Sequence, residues 1–79
     1  MSWNHRVVRR TYHNTHMDDS MLYEIHEVYY NADGTVDGIT EEPIRIREET
    51  IDDLRKTVER LTQCLTKPII DYDTLQEIK

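Results

Sequence analysis

Seventy-nine residues make a single domain, 1–79, and a chain of this length buries only about 60% of the surface its unfolded form exposes, so its core is small. Apolar residues at 37%, charged residues at 33% and a net charge of −6, together with five Tyr, one Trp and regularly spaced Ile, Leu and Val, exclude a disordered chain. The lone cysteine, Cys64, excludes an internal disulfide, and the lack of an apolar leader or membrane-length run predicts a cytoplasmic protein with no membrane contact.

Residues 3–13, WNHRVVRRTYH, are rich in β-branched and aromatic side chains and lack Gly and Pro, which predicts a first strand. Arg6, Arg9 and Arg10 make it basic, whereas residues 17–79 carry sixteen acids against seven bases. A net-acidic surface repels phosphate, so direct nucleic-acid binding is not expected.

Residues 12–20, YHNTHMDDS, place His13, His16, Asp18 and Asp19 close together. Their nitrogen and oxygen donors suit Zn²⁺ or Ni²⁺, with His5 or His26 as further ligands across the hairpin. A metal site needs three or four converging ligands, and a flexible loop loses entropy in holding them. The preferred reading is a solvated polar loop joining two antiparallel strands, with no metal and no cofactor.

Residues 21–31, MLYEIHEVYYN, predict a second, stronger strand. In NADG, residues 31–34, Asn31 can open a type I turn and Gly34 can take positive φ without a Cβ penalty, which predicts a tight hairpin into a third strand over about 35–41. Gly38 suggests a bulge within it, and Pro43 marks its exit.

Ile51, Leu54, Val58, Leu61 and Leu65 recur at spacings of three and four, which predicts a helix over 50–65. Thr50 and Asp53 form a capping box at its start, Asp52 pairs with Lys56 on the opposite face, and Leu54, Val58 and Leu61 pack on the sheet. Cys64, near the edge of the apolar stripe, reads as a packed thiol. After Lys67 and Pro68, residues 68–73 form an extended segment or final strand, and Asp73 with Gln76 can cap one last helical turn through Leu75 and Ile78.

The fold class expected is α+β: a three-stranded antiparallel meander with one amphipathic helix packed on one face and a short C-terminal extended or helical tail. Both faces of the sheet carry apolar groups, because Tyr23, Ile25 and Tyr29 oppose Leu22, Val28 and Tyr30, and Trp3 and Val7 oppose Val8 and Tyr12.

WNHRVV at 3–8, YEIHEVYYNADG at 23–34, TEEP at 40–43, the capped acidic helix and LTKPIIDYD at 65–73 resemble a family of small bacterial and phage-borne proteins of unassigned function. The resemblance implies a shared small α+β fold and transfers no catalytic residue. The chain departs from that pattern at Glu48 and Glu49, where Gly-Glu is expected, and in the His and Asp content of residues 12–20.

Glu24, His26 and Glu27, or the pair Glu41 and Glu42, have the side chains for acid-base chemistry, but a sheet this small predicts little depth for a pocket of about 300 Å³. With no partnered nucleophile and no phosphate loop, the chain is expected not to be an enzyme. The better lead is aromatic: Trp3, Tyr12, Tyr23, Tyr29 and Tyr30 cluster on adjacent strands beside Arg6, Arg9 and Arg10, the composition enriched at protein interfaces. This points to a non-enzymatic interaction module whose partner is another protein or a second copy. The alternative is an acidic inhibitor of phage or mobile-element origin, anti-CRISPR-like, whose carboxylates occupy a nucleic-acid-binding groove.

Overall fold

The computed structural model describes residues 2–78. Strands β1 (Ser2–Tyr12) and β2 (Ser20–Tyr30) form one long antiparallel hairpin, with Trp3 opposite Tyr29, Val7 opposite Ile25 and Val8 opposite Glu24. Directly paired residues share a face, so this register sorts the side chains. One face carries Arg6, Val8, Arg10 and Tyr12 with Glu24, His26, Val28 and Tyr30; the other carries Trp3, His5, Val7 and Arg9 with Tyr23, Ile25, Glu27 and Tyr29.

The NADG turn forms as its residues dictate. Gly34 N–H donates to Asn31 O at 3.0 Å, Asn31 N–H donates to Thr35 O at 2.8 Å, and Gly34 sits at φ 88°. A type I turn followed by a left-handed glycine returns the chain into β3 (Val36–Ile39), which pairs with β2. The register jumps there from Gly38 opposite Tyr29 to Val36 opposite Tyr30, leaving Asp37 as the extra residue of a bulge beside Gly38. Beyond β3 the chain still follows β2, with Ile44 N–H donating to Ile25 O.

The sheet is mixed and four-stranded, in the order β3-β2-β1-β4, so the three-stranded meander expected from the sequence is incomplete. The fourth strand, β4 (Ile70–Asp71), falls within residues 68–73, read from the sequence as an extended segment or final strand, and lies parallel to β1 at Val8 and Arg9. The last helical turn expected from Asp73 does not form either. Asp71 instead accepts the backbone N–H groups of Asp73 and Thr74, Leu75 turns the chain at φ 61°, and Glu77 bridges back to Ile70. A carboxylate that satisfies two free amides closes a tight turn, which competes with helix at this position.

Helix α1 (Ile51–Leu61) starts as predicted, with Thr50 Oγ1 accepting the Asp53 N–H at 3.1 Å, and continues as a 3₁₀ turn over Thr62–Thr66. Asp52 pairs with Arg55 at 3.3 Å, three residues on, rather than with Lys56. The larger departure concerns packing. The hydrophobic core consists of Val8, Val28 and Ile70, closed by Tyr30, Val36, Ile39 and Tyr72; Leu61 and Cys64 are buried outside that cluster, where the 3₁₀ turn meets β1. Leu54 is only half-buried, while Ile51, Val58 and Leu65 are exposed. The helix is therefore held chiefly at its C-terminal end, where Leu61 and Cys64 are buried and the 3₁₀ turn meets β1, instead of by the full apolar stripe.

Candidate interaction surface

The face that holds the core is closed by polar contacts, each following from the register. Arg6 is buried; its guanidinium donates to Pro68 O at 2.7 Å, to Glu77 Oε2 at 2.8 Å and to Tyr30 Oη at 3.0 Å, leaving Nε without a partner among the described residues. Tyr30 Oη in turn donates to Asn4 at 2.6 Å. Arg10 lies over the rings of Tyr12 and Tyr72, 4.7 and 4.0 Å from their centroids, and donates to Glu41 O.

Between these arginines His26 is wholly buried, with Nε2 2.8 Å from Glu24 Oε1 and Nδ1 2.9 Å from Thr40 O. Thr40 Oγ1 lies 3.3 Å from Nδ1 as well, so Thr40 faces that nitrogen with both its carbonyl and its hydroxyl. Glu24 also accepts from Tyr12 Oη. Burial by itself would raise the Glu24 carboxyl, but the hydrogen bonds from Tyr12 and His26 outweigh it and hold the group below the ordinary glutamate value. The same contact pushes the Tyr12 phenol up. His26 lies at the buried end of the group, while Glu24 and Tyr12 are partly exposed.

The opposite face is covered only in part, with His5, Val7, Ile25 and Tyr29 among its half-buried residues. None of its residues on β1 or β2 is buried; Trp3 is 53% and Tyr23 59% exposed, and Met21 beyond them is exposed as well. Cross-strand pairs along it alternate in character: Trp3 with Tyr29, ring centroids 6.5 Å apart, then the polar pair His5 with Glu27, then Val7 with Ile25, then Arg9 with Tyr23. The aromatic and arginine candidates are thus divided. Trp3, Tyr23, Tyr29 and Arg9 belong to this partly covered face, whereas Tyr12, Tyr30, Arg6 and Arg10 serve the closed one. Arg9 is itself held by Asp71 at 3.3 Å.

At one end of the ladder the helix contributes. An open cleft of about 630 Å³ lies between β1 and the last turn of α1, lined by Trp3, Asn4, His5, Arg60, Gln63 and Lys67 with Cys64 at its base. It is larger than the sequence predicted, because a helix attached by its end leaves a groove where a helix lying flat would have filled it. Trp3 and His5 meet edge to face at 5.4 Å within it. Burial pushes the Cys64 thiol up from its ordinary value, the direction opposite to what a thiolate nucleophile requires. Arg60 and Lys67 could not be found from the sequence, since the fold alone brings them beside Trp3.

In the loop after β1, His13 Nδ1 lies 3.0 Å from Asp19 Oδ2, both exposed, and Asn14 donates to Asp18 O at 2.9 Å. Among the described residues no three His, Cys, Asp or Glu side chains converge as a metal site, and no helix is long and apolar enough to cross a membrane. No protein-family model, no curated protein and no solved structure matches this chain, so its role rests on its own geometry.

Proposed function

We propose that this chain is a self-associating protein-interaction module with no chemistry of its own, acting through apolar surface that its fold leaves uncovered. One observation carries the reading. The molecule exposes 6240 Å², roughly 1,200 Å² more than a compact monomer of 9.5 kDa is expected to show. Its radius of gyration, 14.1 Å, exceeds the value of about 11.6 Å for a compact domain of this length.

Part of that surplus is apolar and ordered along the helix. Ile51 is 60% and Val58 44% exposed, with Leu54 between them half-buried and Leu65 exposed beyond. Ile51 and Val58, both β-branched and one heptad apart, are the exposed part of the stripe, while Leu54 is half-buried and Leu61 is buried within the chain, so the seam open to a second helix is the Ile51–Val58 edge. Arg55 and Glu59 lie along its outer flank, so an antiparallel pair crossing near Val58 brings Arg55 of each copy close to Glu59 of the other. A self-complementary surface is what a two-fold interface needs. A standard interface takes about 600–800 Å² from each copy, which the surplus covers.

Sedimentation or light scattering of the full chain tests this. The expected result is a species of twice the monomer mass, converted to monomer by Val58→Glu with the circular-dichroism spectrum unchanged. A wild type that stays monomeric into the high micromolar range refutes self-association.

A further inference from the structure

We infer that the cleft between Trp3 and the end of helix α1 is a docking site for an acidic, partly apolar peptide segment of a partner protein, a second interaction beyond the self-association proposed above. The observation is one of contrast. The chain has sixteen acids against ten lysines and arginines, yet the cleft is lined by Arg60, Lys67 and His5 and by no carboxylate. Arg60 and Lys67, like Arg10, Arg45, Arg47 and Lys56, have no ion-pair partner among the described residues, but only these two share a cleft with an exposed tryptophan. Two unspent cations flank an aromatic wall, with the Asn4 and Gln63 amides available to the backbone of an incoming chain.

The size of the patch decides between ligands. A nucleic acid strand is held by cations spread along its backbone, and a molecule of net charge −6 with two cations in one place repels the rest of that strand. A short segment with a few carboxylates meets the same two cations without that penalty, and its apolar side chains find Trp3 and, next along the same face, Tyr29. Helical geometry places Arg60 about half a turn around from Ile51 and Val58, so the cleft stays free when two helices pair.

Trp3 is the only tryptophan, so its emission reports on this cleft alone. The probe is a short synthetic peptide alternating glutamate with leucine and phenylalanine, titrated into the full chain beside its glutamine counterpart and a single-stranded oligothymidylate. The expected result is a saturable change in Trp3 emission with the acidic peptide, weakened by added salt and about tenfold or more by Arg60→Glu with Lys67→Glu. Arg60→Lys should keep most of the affinity. Equal binding of the glutamine peptide, stronger binding of the oligonucleotide, or no change with any probe would each overturn the assignment. Sedimentation on the same samples reads self-association separately, so loss of the cleft's function leaves a dimer visible and loss of the dimer leaves the titration intact.

Discussion

Side chains of similar hydrophobicity carry very different weight in this molecule, depending on whether anything lies over them. Ile70 is fully buried between Val8 and Val28, so Ile70→Ala removes methylene contacts and leaves a cavity at the centre of a small core; the expected loss is about 2–5 kcal/mol by denaturant melts. Val58→Ala, at a position nearly half exposed, should cost the folded monomer less than about 1 kcal/mol in the same measurement. Glu24 behaves differently because its contribution depends on charge. Its carboxyl is held below the ordinary value of about 4.3, so the stabilisation is fully present above that pH and is lost as the pH falls through the lower value of the folded state. Asp71 acts in the same direction, held low first by the Thr74 backbone N–H, then by Arg9. Urea melts from pH 7 downward should therefore show stability falling below about pH 4.5, with a shallower fall in Glu24→Gln. An unchanged slope in that variant would remove Glu24 from the account.

At the level of elements, what could be read from the chain was what is decided locally. The turn at NADG, the Thr50 cap and the alternation along β1 and β2 depend on residues a few positions apart, and all three are present. That residues 68–73 are extended or a final strand was legible, but the pairing of β4 with Val8 and Arg9, more than sixty positions upstream, was not, since two residues carry no periodicity that names a partner. The helix shows the limit most clearly. Periodicity says that Ile51, Leu54, Val58 and Leu61 lie side by side, but not what covers them; the 3₁₀ turn that follows meets β1, Leu61 and Cys64 are buried, and Ile51 and Val58 stay outside. Alternation likewise separates Trp3, Tyr23 and Tyr29 from Tyr12 and Tyr30, yet which face the tail would close was not legible, because Tyr72 and Glu77 reach Arg10 and Arg6 only through the pairing of β4. A consequence is that Leu61→Ala should destabilise by about 2–5 kcal/mol while Ile51→Ala leaves monomer stability within about 1 kcal/mol, a split that a helix lying flat on the sheet would not produce.

The whole molecule measures 40 × 37 × 21 Å, a broad slab whose core rests on three fully buried aliphatic side chains. A domain of this size has little stability to spare, and apolar area left in water contributes nothing until a second molecule covers it. If pairing of helices supplies that cover, folding and association are linked, and the folded dimer gains about 1.4 kcal/mol per tenfold rise in protein concentration, shared between two chains. For a domain of this length that corresponds to a rise in Tm of about 3–6 °C per tenfold, measured by calorimetry at concentrations above the dissociation constant. Val58→Glu should abolish the concentration dependence and melt where dilute wild type melts, since its side chain lies outside the core. Ile70→Ala should lower Tm at every concentration while preserving the slope, because it weakens each chain without touching the seam. A wild-type Tm independent of concentration would mean that the uncovered helix face is not covered by a second copy.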